Sequence, residues 1–250
     1  MRKLLVRADD FGFSEGINHG IAKTVNDGII RNIGLMPNMD AAPHGVELLK
    51  NERICWGQHT NICVGRPLTD PERLPSLVDG QGNFKTADVY RNAGSDIVNT
   101  EEAVLEIEAQ YHRFTELVGD KPHYFEGHAL FNPHFLKALG IVAEKYDLPV
   151  IRFRPSAPAR FRNTELIMFM DSMSPGYDPY AVLKKAAMAE VPDGAVPMMV
   201  CHPGYIDAYL LEHGLLVNPR PREAGMLSDP TVKHWLKEQN ICLVTYDDLI

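Results

Sequence analysis

Four short segments carry the residue types from which a hydrolytic centre is built. They are Asp9-Asp10-Phe11-Gly12, Gly57-Gln58-His59-Thr60-Asn61, Glu126-Gly127-His128 and Cys201-His202-Pro203-Gly204. One carboxylate with two neutral imidazoles is an N/O ligand set suited to a divalent cation, with positions left open for water and substrate. Water held by such a cation has a lowered pKa and attacks near neutral pH. A second, adjacent aspartate on a turning backbone can point elsewhere and act as general base. A histidine on the opposite rim can protonate the departing group. The chemistry is hydrolysis of an amide or ester. Each segment also has an ordinary structural reading: an aspartate caps or turns, a lone histidine is hydrogen-bonded scaffolding, and His-Pro-Gly is a turn. Scaffolding gives no reason to place all four on one rim.

The elements that must position these segments follow from periodicity. Lys3 to Ala8 is a short apolar run, read as a buried strand ending at Asp9-Asp10. Ser14 suits a helix N-cap, with Ile17, Ile21 and Val25 at helical spacing until Gly28. Further strands are expected at 29–36, 54–59, 123–128, 149–154, 196–201 and 241–246. Helices are expected at 42–50, 99–118, 133–146, 179–189 and 230–239. The stretch 62–98 is rich in Gly and Pro and reads as a long excursion of the kind that forms binding loops or lids. A second Pro- and Arg-rich excursion leads to Ile167–Met170, and a loop precedes Ser228. Strands alternating with helices imply βα units and a parallel sheet. Seven or eight such units favour a barrel, complete or not, over an open doubly wound sheet. Nothing after the first strand resembles a Gly-rich nucleotide-binding turn. In a parallel α/β fold, catalytic groups gather at the C-terminal ends of the strands, and the four segments above end four of them.

The remaining histidines separate from this group. His19, His44, His112, His134, His213 and His234 fall in helical or loop stretches, and His123 opens a strand at the opposite end. All seven are read as surface or structural residues. Arg66, Arg152 and Arg154 could grip an anionic group, but solvated surface arginine is the favoured reading. Arg222 and Glu223 are expected to form a structural ion pair near the rim.

Composition bounds the rest. The 250 residues are 45% hydrophobic and 23% charged, with a net charge of −8. That is too apolar for a disordered chain, and it lacks the basic balance of a nucleic-acid binder. The length suits one α/β barrel, and no linker divides residues 1–250. The basic start MRKLLVRADD has too short an apolar run for a signal peptide, and no stretch approaches the roughly 18 apolar residues of a membrane span. Cys55, Cys63, Cys201 and Cys242 show no CxxC pairing and are read as free thiols of a cytoplasmic protein.

Several motifs together resemble the YdjC-like carbohydrate deacetylases. They are Ala8-Asp9-Asp10-Phe11-Gly12-Phe13-Ser14 with Asn18, Leu35-Met36-Pro37-Asn38, Gly57-Gln58-His59-Thr60-Asn61, Gly127-His128 and Cys201-His202-Pro203-Gly204-Tyr205. Arg220-Pro221-Arg222-Glu223 with Leu227 is similar to that family's Arg-x-x-Glu-Leu-x-x-Leu segment. The resemblance spans almost the whole chain, in the family's order. It implies a single-domain distorted β/α barrel of the glycoside hydrolase/deacetylase type and removal of N-acetyl groups from amino sugars. It implies a divalent metal, Mg2+ first and Zn2+ as the alternative, held by Asp10, His59 and His128. Asp9 matches the general base, and His202 the acid or oxyanion-side residue. The expected partner is a small-molecule carbohydrate, with no nucleic acid and no membrane, and a homodimer is an open option. The chain departs from the family after His128, where Ala129-Leu130-Phe131-Asn132 replaces a His-rich run, and at Ile62-Cys63 in place of Leu-Thr. A more apolar acceptor, such as an aryl- or lipid-linked amino sugar, fits those changes.

Two other readings use the same residues. Two histidines and a carboxylate also form the facial triad of non-haem iron oxygenases. A non-catalytic sugar-binding relative is the third, against which the Asp9-Asp10 pair argues, since a binding module has no use for a general base.

Overall fold

Strand β1 (Arg2–Phe11) runs through the centre of the molecule, and its alternation sets the inside and outside of the fold. Leu4, Val6 and Ala8 pack outward under the helices, whereas Leu5 points into the sheet's interior. Arg7 and Asp9 share the parity of Leu5 and lie buried above it. The computed structural model describes residues 2–154 and 157–250, apart from the side chain of Arg154. The chain continues through α1 (Glu15–Asn26), β2 (Asn32–Leu35), α2 (Ala42–Leu49), β3 (Cys55–Thr60), α3 (Ala87–Asn92), α4 (Thr100–Val118), β4 (Tyr124–Gly127) and α5 (Pro133–Lys145). Then follow β5 (Ile151–Arg154), β6 (Ala157–Phe161), β7 (Thr164–Phe169), α6 (Pro179–Ala187), β8 (Val196–Cys201), α7 (Ala208–His213), α8 (Pro219–Ser228), α9 (Pro230–Glu238) and β9 (Ile241–Val244). No described helix is long and apolar enough to cross a membrane.

Eight strands follow the order β4-β3-β2-β1-β8-β7-β6-β5, and a bridge between Phe125 and Val150 brings the two ends together. The result is a nearly closed, barrel-like sheet, the distorted β/α barrel expected. Strand β9 pairs with the first half of β1, below β2. The side chain of Asn32 joins all three strands, donating to the carbonyls of Val6 and Val244 and accepting from the Tyr246 amide. The barrel's lower interior is apolar, with Leu5, Tyr124, Phe161, Leu166, Met198 and Val200 around Tyr246. Tyr124 and Tyr246 stack with ring centroids 4.0 Å apart.

The structure departs from the sequence reading in three places. The second excursion is a hairpin: β6 pairs antiparallel with both β5 and β7, so the barrel is not a uniform βα repeat. The loop before Ser228 contains α7 and α8. The stretch 62–98 is a packed cap rather than an open lid, because Leu74, Leu77, Phe84 and Tyr90 are buried with residues of α4 and α5.

Candidate metal centre and its surroundings

A bulge lets two consecutive aspartates reach the same site. Ala8 pairs with Ile33 but Phe11 with Leu35, so β1 spends one residue more than β2 over this stretch. The extra residue is accommodated at Asp10, whose φ of 71° lies in the left-handed region, where aspartate is among the better tolerated side chains. Asp9 and Asp10 therefore both face inward instead of to opposite sides of the sheet. Gly12 (φ 96°) completes the turn, where a Cβ would stand 3.0 Å from the Met36 carbonyl oxygen. Its amide donates to Asn18 on α1 at 2.7 Å.

Parity brings in the other ligands. On β3, Cys55 points into the interior and His59, four residues later, keeps that orientation. On β4, Tyr124 points inward, and Glu126 and His128 follow at two-residue steps. Gly34 on β2 leaves the space between them clear: a Cβ there would lie 3.1 Å from both Asp9 Oδ1 and His59 Cβ.

Three atoms converge. His59 Nε2 is 3.2 Å from Asp10 Oδ1, His128 Nδ1 is 3.1 Å from the same oxygen, and the two nitrogens are 2.9 Å apart. An octahedral cation with bonds of about 2.1 Å spaces adjacent ligands about 3.0 Å apart, against about 3.4 Å for a tetrahedron. Protons alone do not satisfy this triangle. Asp10 Oδ1 is buried without a well-formed hydrogen bond. The charged form of both imidazoles would set N–H against N–H. A divalent cation accepts a lone pair from all three atoms, so the donor set fits one.

The charges are held from behind. Arg220 Nη2 contacts Asp10 Oδ2 at 2.6 Å, leaving Oδ1 turned towards the histidines. Glu126 Oε1 hydrogen-bonds His59 Nδ1, which directs Nε2 at the centre. Arg7 Nη2 contacts Asp9 Oδ2 at 2.6 Å and lies 3.7 Å from Glu126 Oε2, while its Nη1 donates to the Tyr246 hydroxyl. Among the described residues, Asp9 Oδ1 and His202 Nδ1 are both buried without a hydrogen-bond partner. The His202 backbone is clamped by α8: its amide donates to Glu223, and its carbonyl accepts from Arg220. Glu223 also accepts from the hydroxyls of Ser172 and Tyr177.

Burial and partners push the titrations in different directions. For Asp10, burial raises the pKa, but Arg220 and His128 outweigh it and hold the carboxyl well below its usual range. For His59, burial lowers the pKa, yet Glu126 and Asp9 carry it well above an ordinary histidine. His128 follows the same balance: burial lowers it and Asp10 raises it, to about 9. Burial dominates at His202, lowering its pKa to about 4, so this imidazole is neutral at neutral pH. Burial raises the Glu223 carboxyl.

The five expected site residues, Asp9, Asp10, His59, His128 and His202, thus meet at one rim, although up to 193 positions separate them. Arg66 and Arg152 are exposed, and the side chain of Arg154 lies outside the described residues. The expected Arg222–Glu223 pair is not formed; Arg222 is exposed, and Glu223 turns inward to the His202 backbone because α8 buries that face. Sequence reasoning gave no role to Arg7, Glu126 or Arg220. Arg7 had a signal, a lone charge within an apolar strand that buries both faces. Arg220 was marked only as the first residue of the Arg-x-x-Glu segment, and its partner Asp10, 210 residues away, could not be read from that spacing. Beside His128, Leu130 is buried and Phe131 is 60% exposed, packed edge-on against Phe153 at 5.0 Å.

The chain is similar to known proteins over most of its length. The YdjC-like protein family matches residues 3–238. Carbohydrate deacetylase 2 of Listeria innocua is 32% identical over 99% of this chain and 98% of its own. A carbohydrate deacetylase of Geobacillus stearothermophilus is 31% identical over 98% and 97%. A chitooligosaccharide deacetylase of Serratia marcescens is 28% identical over the full length of both. Among solved structures, an Enterococcus faecalis V583 protein assigned without proof to cellobiose-phosphate cleavage superimposes with a TM-score of 0.84 over 98% of each chain at 24% identity. A family 4 acetyl xylan esterase of Clostridium thermocellum, in complex with cobalt, gives 0.53 over 99% of this chain and 89% of its own at 12% identity. Those two likenesses concern the fold. The family match runs from the first strand to the last helix and takes in every residue of the converged centre, so the chain belongs to the YdjC-like family.

Proposed function

We propose that this chain is a metal-dependent hydrolase that removes an N-acetyl group from an amino sugar, an oligosaccharide or a related small amide. The observation that carries this reading is the convergence of Asp10 Oδ1, His59 Nε2 and His128 Nδ1 beside two buried, unpartnered atoms, Asp9 Oδ1 and His202 Nδ1. The names of the curated relatives supply the substrate class. Asp10, His59 and His128 would hold the cation. Mg2+ is the cation the family resemblance implies, with Zn2+, which two imidazoles suit, as the alternative. When bound, the cation polarises the acyl carbonyl and makes a water nucleophilic near neutral pH.

The chain's own groups do the rest. Arg7 occupies Asp9 Oδ2, which leaves Oδ1 to take the proton of the attacking water. His202 enters the reaction neutral, takes that proton from Asp9 on its unpartnered Nδ1 and delivers it to the departing amine. The apolar step at Leu130-Phe131, with Phe153 against it, suits an acceptor with an apolar face. Residues 1–250 act as one domain in this scheme. Free cysteines accord with a cytoplasmic site of action. Acetate release from a panel of N-acetylated sugars, with and without added Mg2+ or Zn2+, tests the proposal. Metal-stimulated release supports it; binding without turnover by the metal-loaded protein, or oxygen consumption, contradicts it.

A further inference from the structure

At the opposite end of the barrel, away from the proposed reaction, three residues from three elements meet. Cys55 opens β3, His123 immediately precedes β4, and Asp247 lies in the short turn after β9. Their ligand atoms lie within 4.8 Å of one another. His123 Nδ1 is 2.8 Å from both oxygens of Asp247. Cys55 is buried, with the Asp247 carboxylate and the amides of Tyr246 and Asp247 about its sulfur. The backbone holds the three in place: the His123 amide donates to the Trp56 carbonyl at 2.7 Å, and Tyr246 is anchored in the barrel core.

We propose that Cys55, His123 and Asp247 form a second cation site, for a borderline-soft divalent metal of the zinc type. A thiolate, an imidazole and a carboxylate are the donors that Zn2+ takes. The donor chemistry differs from that of the first centre, whose three ligand atoms are nitrogen and oxygen only. An ordinary ion pair needs no sulfur, and a half-exposed His–Asp pair contributes little to stability. Here the pair stands directly over a buried thiol. His123 and Asp247 have side-chain exposures of 34% and 48%, so a cation enters from solvent and completes its shell with water on that side. On binding, the thiol proton is released and sulfur donates as thiolate; no electron is transferred. Such a cation would fasten the C-terminal turn to the starts of β3 and β4.

Cobalt titration of the metal-free chain reads this site apart from the first. Thiolate-to-cobalt charge transfer gives a near-ultraviolet band that nitrogen and oxygen ligands lack. The wild-type chain is expected to bind about two equivalents of Co2+ and to show the band. Cys55→Ser should lose the band and one equivalent. His123→Ala, which changes a half-exposed side chain, should do the same if Cys55→Ser fails to fold. Asp10→Asn should weaken the other equivalent and keep the band, and Cys63→Ser should leave it intact. One equivalent and no band in the wild-type chain, or a band that survives Cys55→Ser or vanishes with Cys63→Ser, would overturn the proposal.

Discussion

Arg220 grips one oxygen of Asp10 at 2.6 Å, and the other oxygen is thereby presented to His59 and His128. The arginine lies on the eighth helix and the aspartate on the first strand, so the proposed metal centre depends on the late part of the chain closing against the early part. Both side chains are at most 5% exposed. Removing one partner of such a pair strands a buried charge and costs about 3–5 kcal/mol. Arg220→Ala is expected to lower stability by that order and to weaken metal binding roughly 10–100-fold, the usual cost of losing a group that orients a ligand. Chemical denaturation and metal titration of the same variant measure both. Wild-type affinity would show that Arg220 does not position Asp10.

Glu126 stands behind His59 as Arg220 stands behind Asp10. Glu126→Gln keeps an acceptor for His59 Nδ1 but removes the negative charge shared with Arg7. Metal affinity should fall by about tenfold or more. Calorimetric titration of Mg2+ or Zn2+ into the variant is the check.

Protons and the cation compete for the same atoms, which sets a pH dependence. In the metal-free chain His128 holds its proton up to about pH 9, because Asp10 outweighs the effect of burial. Metal affinity is therefore expected to rise with pH through about 9, and to go on rising until His59, also held well above an ordinary histidine, has given up its proton. The stability of the metal-free chain runs the other way. A raised histidine pKa contributes stability that is complete below the ordinary value of about 6.5 and is lost as pH rises through about 9. Metal titrations and melting curves between pH 6 and pH 10 test the two signs, and a flat metal affinity would contradict the account.

General-base chemistry is separable from metal binding. Asp9→Asn should leave the Asp10, His59 and His128 atoms in place and lower turnover by roughly 10²–10⁴-fold. The variant should also be less stable, since Arg7 loses its closest charge partner. Metal content measured beside acetate release distinguishes this outcome from a collapsed site.

The strand ends were legible because parallel strands covered by helices on one side and closed into a barrel on the other read as short apolar runs, and four of those runs stopped at polar groups. The hairpin of β6 and β7 was not. Arg152 and Ala157 are exposed and Arg160 half-buried, so this edge lacks the apolar signal of a covered strand. Asp9 and Asp10 were legible as a pair, but their shared direction depends on the bulge, which only the register against β2 reveals. The supporting charges were hidden for a different reason. Glu126 and Arg220 matter through partners in other elements, whereas Arg7 meets Asp9 within its own strand but reaches Tyr246 and Glu126 only through the fold.

The most direct test joins metal content to acetate release in His59→Ala. Wild-type chain loaded with Mg2+ or Zn2+ is predicted to release acetate from an N-acetylated sugar, and the variant is predicted to lose both the cation at this centre and the release. Undiminished acetate release from His59→Ala would contradict the assignment of His59 as a ligand, and with it the proposed hydrolysis at this rim.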